Sequence, residues 1–284
     1  MAEDRDNEEI QLLHDEIKRL RKTLTELTPP LEALLRNRGF RIYKKEPSED
    51  LVLQAKKFLN DFYEMLKKYS FRLFLRDVIK NQESFTREQV TRYATSDVTD
   101  AYIDFLLSIR VVETAGSQNF RLMKRPIKSF GETLEWFLCE IFKREFFAEA
   151  AWGVKFKRPR VGGDYDLIAK IEGSILYMEV KSSPPKQIYA GEITAFLDRV
   201  FDLSPEIAVF FMDTELRMKD KIVPMFEDEL KKRFSSPPPV LRIEKELFQI
   251  WNRIFIINAK DSITNNIEKV LSFYFRAEKQ GSKG

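Results

Sequence analysis

Two short apolar stretches of the chain, DLIAKI and ILYMEV, carry acidic residues that a core strand does not need. They predict strands at residues 166–171 and 175–180, joined by a tight turn. Because side chains two residues apart share one face of a strand, Glu179 and Lys181 point the same way. Pairing of the two strands as a hairpin would bring Asp166 beside Glu179 on that face.

The two acids carry the chemistry of this stretch. Carboxylates held close together repel one another, which a protein tolerates when a positive ion lies between them. Mg²⁺ suits such a site because it prefers oxygen ligands and completes its shell with water and substrate phosphate. We expect Mn²⁺ to substitute for it. Lys181 would orient or deprotonate an attacking water and stabilise charge on the phosphate. The pattern therefore predicts a phosphodiester-hydrolysing site.

The 284-residue chain contains one histidine, His14, and one cysteine, Cys139. The single histidine excludes Ser-His and Cys-His triads and zinc sites with several histidines, so an enzyme here must use carboxylates, lysine, hydroxyls or a hard metal ion. The single cysteine excludes an internal disulfide and fits a reducing compartment. No run reaches the roughly 18 apolar residues of a membrane helix and no signal peptide is evident, so we expect a cytoplasmic protein. A net charge of +3 does not by itself indicate nucleic acid.

Hydrophobic periodicity from residue 129 onward predicts an α/β (α+β) fold with a mixed central sheet flanked by helices. The order of elements is α-β-β-β-α-β, followed by further helices and strands. The predicted helices are at 129–147, 189–202, 223–234 and 262–275, and the predicted strands at 154–157, 166–171, 175–180, 207–212 and 254–257. The expected units are an N-terminal coiled-coil segment at 1–46, a helical winged-helix-like domain at 47–126 and the sheet domain at 127–284.

Asp166, the Glu179-x-Lys181 pair and a preceding helix that bears Glu135 together resemble the PD-(D/E)XK nuclease superfamily, which has the restriction-endonuclease-like fold. The Holliday-junction-resolvase and Mrr-type branches are the nearer likeness, which covers residues 129–260. The resemblance implies metal-dependent cleavage of DNA. It also implies that Asp166 and Glu179 hold Mg²⁺, that Lys181 is the catalytic lysine and that Glu135 is an additional metal or water contact.

The sequence departs from the pattern of that family at three points and leaves a choice at a fourth. After Lys181, the residues Ser182-Ser183-Pro184-Pro185 break the strand quickly. Tyr165 stands where the proline of the family name would precede Asp166. Asp164 is an extra acid that could share or replace the metal role. Glu132, one helical turn before Glu135, is the rival for the role of the helical acid.

An E-x-K pattern on an apolar strand is also common by chance. In that case Lys181 forms an ion pair with Asp166 or Glu179 on the rim of an inactive sheet. The alternative function is then a non-catalytic DNA-binding or assembly protein that acts through its winged-helix and coiled-coil parts.

Basic residues beside the predicted site, on the adjoining strand and loop and at the start of the next helix, are candidates for contact with DNA phosphates. These candidates are Lys155, Lys157, Arg158, Arg160 and Lys186, with Gln187 as a polar neighbour. Lys155 and Lys157 share one face of their strand. The alternative is a solvated strand edge that lysines protect from further pairing.

Residues 8–28 carry apolar side chains at alternating spacings of three and four, which is the seam of a coiled coil. This spacing favours a parallel homodimer, which would bring two active sites together. Because the seam covers only about three heptads, the alternative is an amphipathic helix that packs against the next helix, at 31–38.

Residues 85–122 predict a helix, a turn, a second helix and a small hairpin, an order that resembles a winged helix-turn-helix. Thr86 and Gln89 form a capping box for the first helix, and Ser96 would cap the second. The helix that usually reads DNA exposes acids here, namely Asp97, Asp100 and Asp104. Because acids repel phosphates, a structural role or contact with a protein partner is favoured over DNA reading.

Overall fold

The computed structural model describes residues 13, 16, 19, 20, 23, 28–53, 55–116, 118–157 and 160–281. Most of the predicted coiled coil at residues 8–28, and the homodimer that depends on it, lies outside the described residues. His14 and Arg158 lie outside them too. None of the helices described is long and apolar enough to cross a membrane.

Ten strands form in the described part of the chain, and eight of them make one sheet. They are β1 (Ile42–Lys44), β2 (Val112–Thr114), β3 (Phe120–Leu122), β4 (Glu149–Phe156), β5 (Tyr165–Ile171), β6 (Ser174–Lys181), β7 (Ile207–Met212), β8 (Leu241–Glu244), β9 (Leu247–Ile250) and β10 (Ile254–Asn258). The sheet has the order β1-β4-β5-β6-β7-β10-β9-β8, and β2 pairs with β3 separately. Pairing is antiparallel except that β7 runs parallel to β6 and β10. The predicted mixed sheet is confirmed.

Helices flank this sheet. They are α1 (Leu31–Asn37), α2 (Leu59–Leu66), α3 (Tyr69–Lys80), α4 (Arg87–Val90), α5 (Ser96–Ser108), α6 (Gly131–Glu145), α7 (Ala190–Leu203), α8 (Ile222–Arg233) and α9 (Ile263–Gly281), with short 3₁₀ turns at Lys56–Phe58 and Pro185–Gln187. The order α6-β4-β5-β6-α7-β7 matches the predicted α-β-β-β-α-β core.

Two apolar clusters fill the two faces of the sheet. The first contains α6, α9 and a helical region at residues 52–127, and the second contains α1, α7 and α8. Every residue of β7 is buried, as expected of a central strand that is covered on both faces. Met178 and Val180 enter the α6 cluster. Alternation along β6 therefore turns Glu179 and Lys181 towards α7.

The sequence does not predict β1, β8 and β9, and it starts β4 five residues too late, at residue 154 instead of Glu149. The three missed strands have three or four residues each and lie towards the two edges of the sheet. Strands so short show almost no periodicity. The first half of β4 contains two alanines and a glycine, which have low strand propensity.

The helical region at residues 52–127 contains the predicted helices and hairpin with shifted ends. The capping box of Thr86 and Gln89 is present at the start of α4. Thr95, rather than Ser96, accepts the capping hydrogen bond of α5. The sequence predicts the cap one residue too late, because both threonine and serine serve as caps and the two stand side by side here.

The predicted acidic face of α5 is only partly free. Asp97 and Asp104 are exposed. Asp100 lies 2.7 Å from the guanidinium of Arg87 on α4. The negative charge available to a partner on this face is therefore that of two aspartates.

Aromatic side chains connect the helical region with α6. Phe62 stacks on Trp136 with ring centroids 5.9 Å apart, and the rings of Tyr63 and Phe137 lie 5.5 Å apart. The two regions therefore share one apolar cluster. A domain boundary near residue 126 stays a prediction from the sequence.

A buried ion pair joins α3 to the end of β7. Arg72 and Asp213 are each 1% exposed, and the guanidinium donates through Nε at 2.9 Å and Nη2 at 2.8 Å. Arg76 binds the other carboxylate oxygen of Asp213. The backbone carbonyl of Leu66 accepts a further hydrogen bond from Arg72 at 2.7 Å. Charges buried in this way are tolerated only while their partners remain in place.

Asp213→Ala is expected to lower the free energy of unfolding by about 3–5 kcal/mol, because it leaves the buried Arg72 without its carboxylate. The measurement is a urea titration followed by circular dichroism. The matched control is Asp228→Ala, which removes only the exposed pair with Lys231 and should cost about 0–1 kcal/mol. Equal losses in the two variants would contradict a structural role for the buried pair.

Candidate active site

The β5–β6 hairpin brings the two predicted acids together. Its turn has positive φ at Glu172 (48°) and Gly173 (84°), the conformation of a tight two-residue hairpin turn. Leu167 pairs with Met178, and the same register continued by one residue sets Asp166 opposite Glu179. The sequence-predicted juxtaposition of these two carboxylates is therefore present.

Asp166 is held by the neighbouring strand. Its Oδ2 accepts a hydrogen bond from the backbone N–H of Val180 at 2.7 Å. Its Oδ1 has no hydrogen-bond partner within the described residues. Burial, reinforced by the carboxylates of Glu179 and Glu135, raises the pKa of Asp166 well above its usual value. The group is thus destabilised as an anion and has one oxygen available to a cation.

Glu179 is buried, with 3% of the residue exposed, and its two oxygens have three partners. Oε1 lies 2.9 Å from the Lys181 amine. Oε2 accepts from Nη1 of Arg199 on α7 at 2.8 Å and from the hydroxyl of Tyr177. These contacts supply the charge compensation that a buried carboxylate requires.

Lys181 lies between two carboxylates. Its amine is 2.9 Å from Glu179 and 3.0 Å from Oε2 of Glu192 at the start of α7. Burial opposes the charge of the amine, but Glu179, Asp166 and the hydrogen bond to Glu192 together raise the pKa of Lys181 above its usual value. The side chain is therefore an ammonium ion at neutral pH.

Glu135 reaches the same end of the hairpin from α6, on the opposite face of the sheet. Burial raises its pKa to about 8, and the carboxylates of Glu132, Glu179 and Asp164 add to the effect. The carboxylate of Glu135 makes no hydrogen bond or ion pair within the described part of the chain. Its negative charge is therefore the least balanced by hydrogen bonds or nearby cations among the acids of this site.

Gly153 on β4 lies against Pro47 and beside the carboxylate of Glu135. The β4–β5 register continues to place it opposite Asp166. It has φ +55°, and a Cβ there would lie 2.4 Å from Cδ of Pro47 and 3.8 Å from Oε2 of Glu135. A side chain at this position would collide with the ring of Pro47 and contact Glu135. Sequence reasoning did not single out this glycine.

The sequence also gave no role to Tyr177, Glu192 or Arg199. Arg199 packs against Gly163, where a Cβ would lie 2.4 Å from Nη2 of the guanidinium. One signal was available: Glu192 and Arg199 are seven residues apart, which places both on one face of a helix. Which strand residues they meet depends on the packing of α7, which spacing alone does not give.

The two alternative acids are engaged elsewhere. Asp164 is exposed and binds the amine of Lys155 at 2.8 Å. Glu132 accepts a hydrogen bond from the backbone N–H of Asp50 at 2.7 Å. Glu135, which lacks such a partner, is therefore better placed than Glu132 as the helical acid.

The predicted DNA contacts divide into two groups. Lys155 is occupied by Asp164, while Lys157 and Arg160 are exposed beside it. Lys186 and Gln187 are exposed on the opposite side of Lys181 and line a separate cleft. The structure does not gather these candidates into one surface.

The residues that would hold a divalent cation are Asp166, Glu135 and Glu179. Within the described residues no three acids, histidines or cysteines are placed as a ready set of metal ligands. Mg²⁺ needs only one or two carboxylates, with water and phosphate as its remaining ligands. Oδ1 of Asp166 and the carboxylate of Glu135 have no partner within the described residues, and Glu135 adds to the burial that raises the pKa of Asp166, so the donor set fits a hard cation.

The sequence matches no protein-family model and no curated protein. Among solved structures, the chain is similar to Can2 from Sulfobacillus thermosulfidooxidans, solved in complex with cyclic tetra-adenylate, with a TM-score of 0.48 and 13% identity over 86% of this chain and 60% of that one. It is also similar to VC1899 from Vibrio cholerae, with a TM-score of 0.46 and 11% identity over 71% of this chain and 56% of that one. The chain spans less than two thirds of the length of either protein. At this level the likeness is limited to the arrangement of helices and strands.

Glu135→Gln is expected to stabilise the metal-free protein increasingly as pH rises. The pKa of Glu135 is raised from 4.5 to about 8 in the folded state. Between these values the unfolded chain releases a proton that the folded protein keeps, so wild-type stability falls with pH. The neutral variant does not lose stability in this way. Its melting temperature in EDTA should exceed that of the wild type by several degrees at about pH 9, because each kcal/mol of stability shifts the melting temperature by roughly 2–4 °C.

The control for this experiment is Glu215→Gln, which changes an exposed glutamate. Its melting curve should follow that of the wild type at every pH. A Glu135→Gln protein whose advantage is the same at about pH 5 and pH 9 would show that Glu135 ionises normally.

Proposed function

We propose that the protein is a metal-dependent endonuclease of the PD-(D/E)XK type that hydrolyses DNA phosphodiester bonds. One observation carries the proposal: the carboxylates of Glu135, Asp166 and Glu179 act on one another electrostatically at one end of the β5–β6 hairpin, beside the amine of Lys181. Each of the first two has a raised pKa that a bound cation would relieve. The arrangement uses no histidine, in agreement with the composition.

The side chains divide the work of hydrolysis. A Mg²⁺ or Mn²⁺ ion, when bound, neutralises charge on the phosphate and lowers the pKa of water. Lys181 is an ammonium ion at neutral pH, so it donates hydrogen bonds to the phosphate and does not take a proton from water. Glu135 makes no hydrogen bond or ion pair within the described residues, so once a bound cation has lowered its raised pKa it is the carboxylate that accepts that proton.

Arg199 and Tyr177 keep Glu179 in place throughout this cycle. They hold its Oε2, while Lys181 holds its Oε1. If Lys181 turned towards a substrate phosphate, Oε1 of Glu179 would be free to hold the metal ion together with Asp166. Arg199 is thus a positioning residue, which also keeps the buried carboxylate compensated.

A specific observation favours a second candidate function, that of a non-catalytic DNA-binding or assembly protein. The Glu179–Lys181 ion pair expected of an inactive sheet is present at 2.9 Å. Together with Arg199 and Tyr177 it occupies both oxygens of Glu179 in the described structure. This candidate predicts binding of DNA without cleavage.

Two assembly proposals accompany the nuclease. A homodimer through residues 8–28 would bring two active sites together for cleavage of both strands. Asp97 and Asp104 on α5 would meet a basic protein partner, because an acidic face repels DNA.

Cleavage is tested by incubating the purified protein with supercoiled plasmid and a labelled four-way junction in Mg²⁺, Mn²⁺ or EDTA. We expect metal-dependent nicking that Lys181→Ala slows by about 10²–10³-fold, the loss typical of one stabilising donor. Asp166→Asn should lose activity as well, through the loss of metal binding.

Lys219→Ala, which changes an exposed lysine outside the site, is the control and should cleave like the wild type. Retention of DNA without cleavage in any metal would favour the non-catalytic function. Cleavage that persists in Lys181→Ala and Asp166→Asn would place the chemistry elsewhere.

A further inference from the structure

A cleft of about 740 Å³ lies between the helical region and the end of the sheet. Its one wall is formed by α3 and the segment around Arg92 and Tyr93, and its other wall by residues 182–187 and 213–216. The size is within the roughly 300–1,000 Å³ of pockets that enclose small ligands. Only Lys186 and Gln187 of its lining residues were candidates from the sequence, because the walls come from distant parts of the chain.

The charge of the cleft is strongly positive. Its ionisable lining residues in the described chain are five cations, Arg76, Lys80, Arg92, Lys128 and Lys186, and two acids, Asp77 and Asp213. Asp213 is already bound by Arg72 and Arg76. Lys80, Arg92, Lys128 and Lys186 are exposed and form no salt bridge within the described residues. Asp77 acts electrostatically on Arg92 and Lys80, but four exposed cations against this one remaining acid still favour a ligand with several negative charges.

The cleft adjoins the backbone beside Lys181 of the candidate active site. Ser182, Ser183 and Pro184, which line it, are the residues that follow Lys181. On the other side, the backbone N–H of Asp213 donates to the carbonyl of Lys181 at 2.9 Å. A ligand in the cleft therefore lies against Ser182, the next residue in the chain after Lys181, and against Asp213, which is hydrogen-bonded to the backbone of Lys181.

An aromatic ring accompanies the cations. Tyr93 is 44% exposed, and the Arg92 guanidinium lies 5.7 Å from its ring centroid. Alternating cations and an exposed ring are the elements of single-strand binding, in which phosphates meet the charges and bases stack on the ring. A base within a duplex is already stacked and paired and cannot use the ring in this way.

We propose that this cleft binds an unpaired nucleic-acid strand, with phosphates at Lys80, Arg92, Lys128 and Lys186 and a base on Tyr93, and directs the strand to Lys181. The proposal rests on the nuclease function, and it specifies the substrate as single-stranded or locally unpaired. A flap, a gap or a melted end would satisfy it.

The test is fluorescence anisotropy with a labelled oligothymidylate of about 12 nucleotides, within the usual site size, and with a duplex of equal length, in EDTA. Lys80→Ala/Arg92→Ala should weaken single-strand binding at least ten-fold. It should also reduce the slope of log K against log salt by about 1.4, since each phosphate contact contributes about 0.7. Tyr93→Ala should weaken binding about five-fold or more.

The control is Lys231→Ala/Lys232→Ala on α8, which removes two exposed charges on the other face of the sheet and should leave single-strand affinity unchanged. Melting temperatures show that each variant is folded. Single-strand binding that is unchanged in the cleft variants would overturn the proposal. It would also be overturned if the wild type bound the duplex more tightly than the single strand and the cleft variants weakened binding of both by the same factor.

The two proposals fail separately. Binding that depends on the cleft without cleavage in any metal would remove the nuclease and leave the cleft as a strand-binding site. If the cleft variants cleaved with metal at the wild-type rate and affinity, the nuclease proposal would stand and the proposed role of the cleft would be wrong.

Discussion

Burial of neighbouring carboxylates, which also repel one another, is the constraint on which the site depends. The β5–β6 hairpin fixes Asp166 opposite Glu179, and α6 adds Glu135 from the other face. Arg199, Lys181 and Tyr177 compensate Glu179, but Asp166 and Glu135 keep raised pKa values. A protein that retains such strain has a use for it, and a divalent cation is the simplest partner that removes it.

The buried contact of Arg72 and Asp213 extends this arrangement beyond the hairpin. It ties α3 to the residue after β7, whose backbone also holds the carbonyl of Lys181. The helical region is therefore attached to the sheet beside Lys181 and forms a wall of the basic cleft there. The same contacts of Asp213 therefore stabilise the fold, hold the backbone of Lys181 and shape the cleft.

The local pattern was predictable and the long-range partners were not. Alternation and a two-residue turn place Asp166, Glu179 and Lys181 on adjacent strands, and the α-β-β-β-α-β order follows from the periodicity of the helices and strands. Arg199 and the glycine at 153 escape such reasoning, because their roles come from how α7 and the 46–47 turn pack. The cleft escapes it for the same reason. The short strands β1, β8 and β9 have too few residues to show a period.

The central claim is that Asp166 and its neighbours form a metal-binding centre, and calorimetric titration of Mg²⁺ into the metal-free protein tests it most directly. Because the pKa of Glu135 is raised to about 8 and that of Asp166 is raised well above its usual value, we expect binding accompanied by proton release, seen as a heat that changes with the ionisation enthalpy of the buffer. Asp166→Asn should abolish the binding heat, and Asp228→Asn should not. Absence of binding, or equal binding by the Asp166→Asn protein, would contradict the claim.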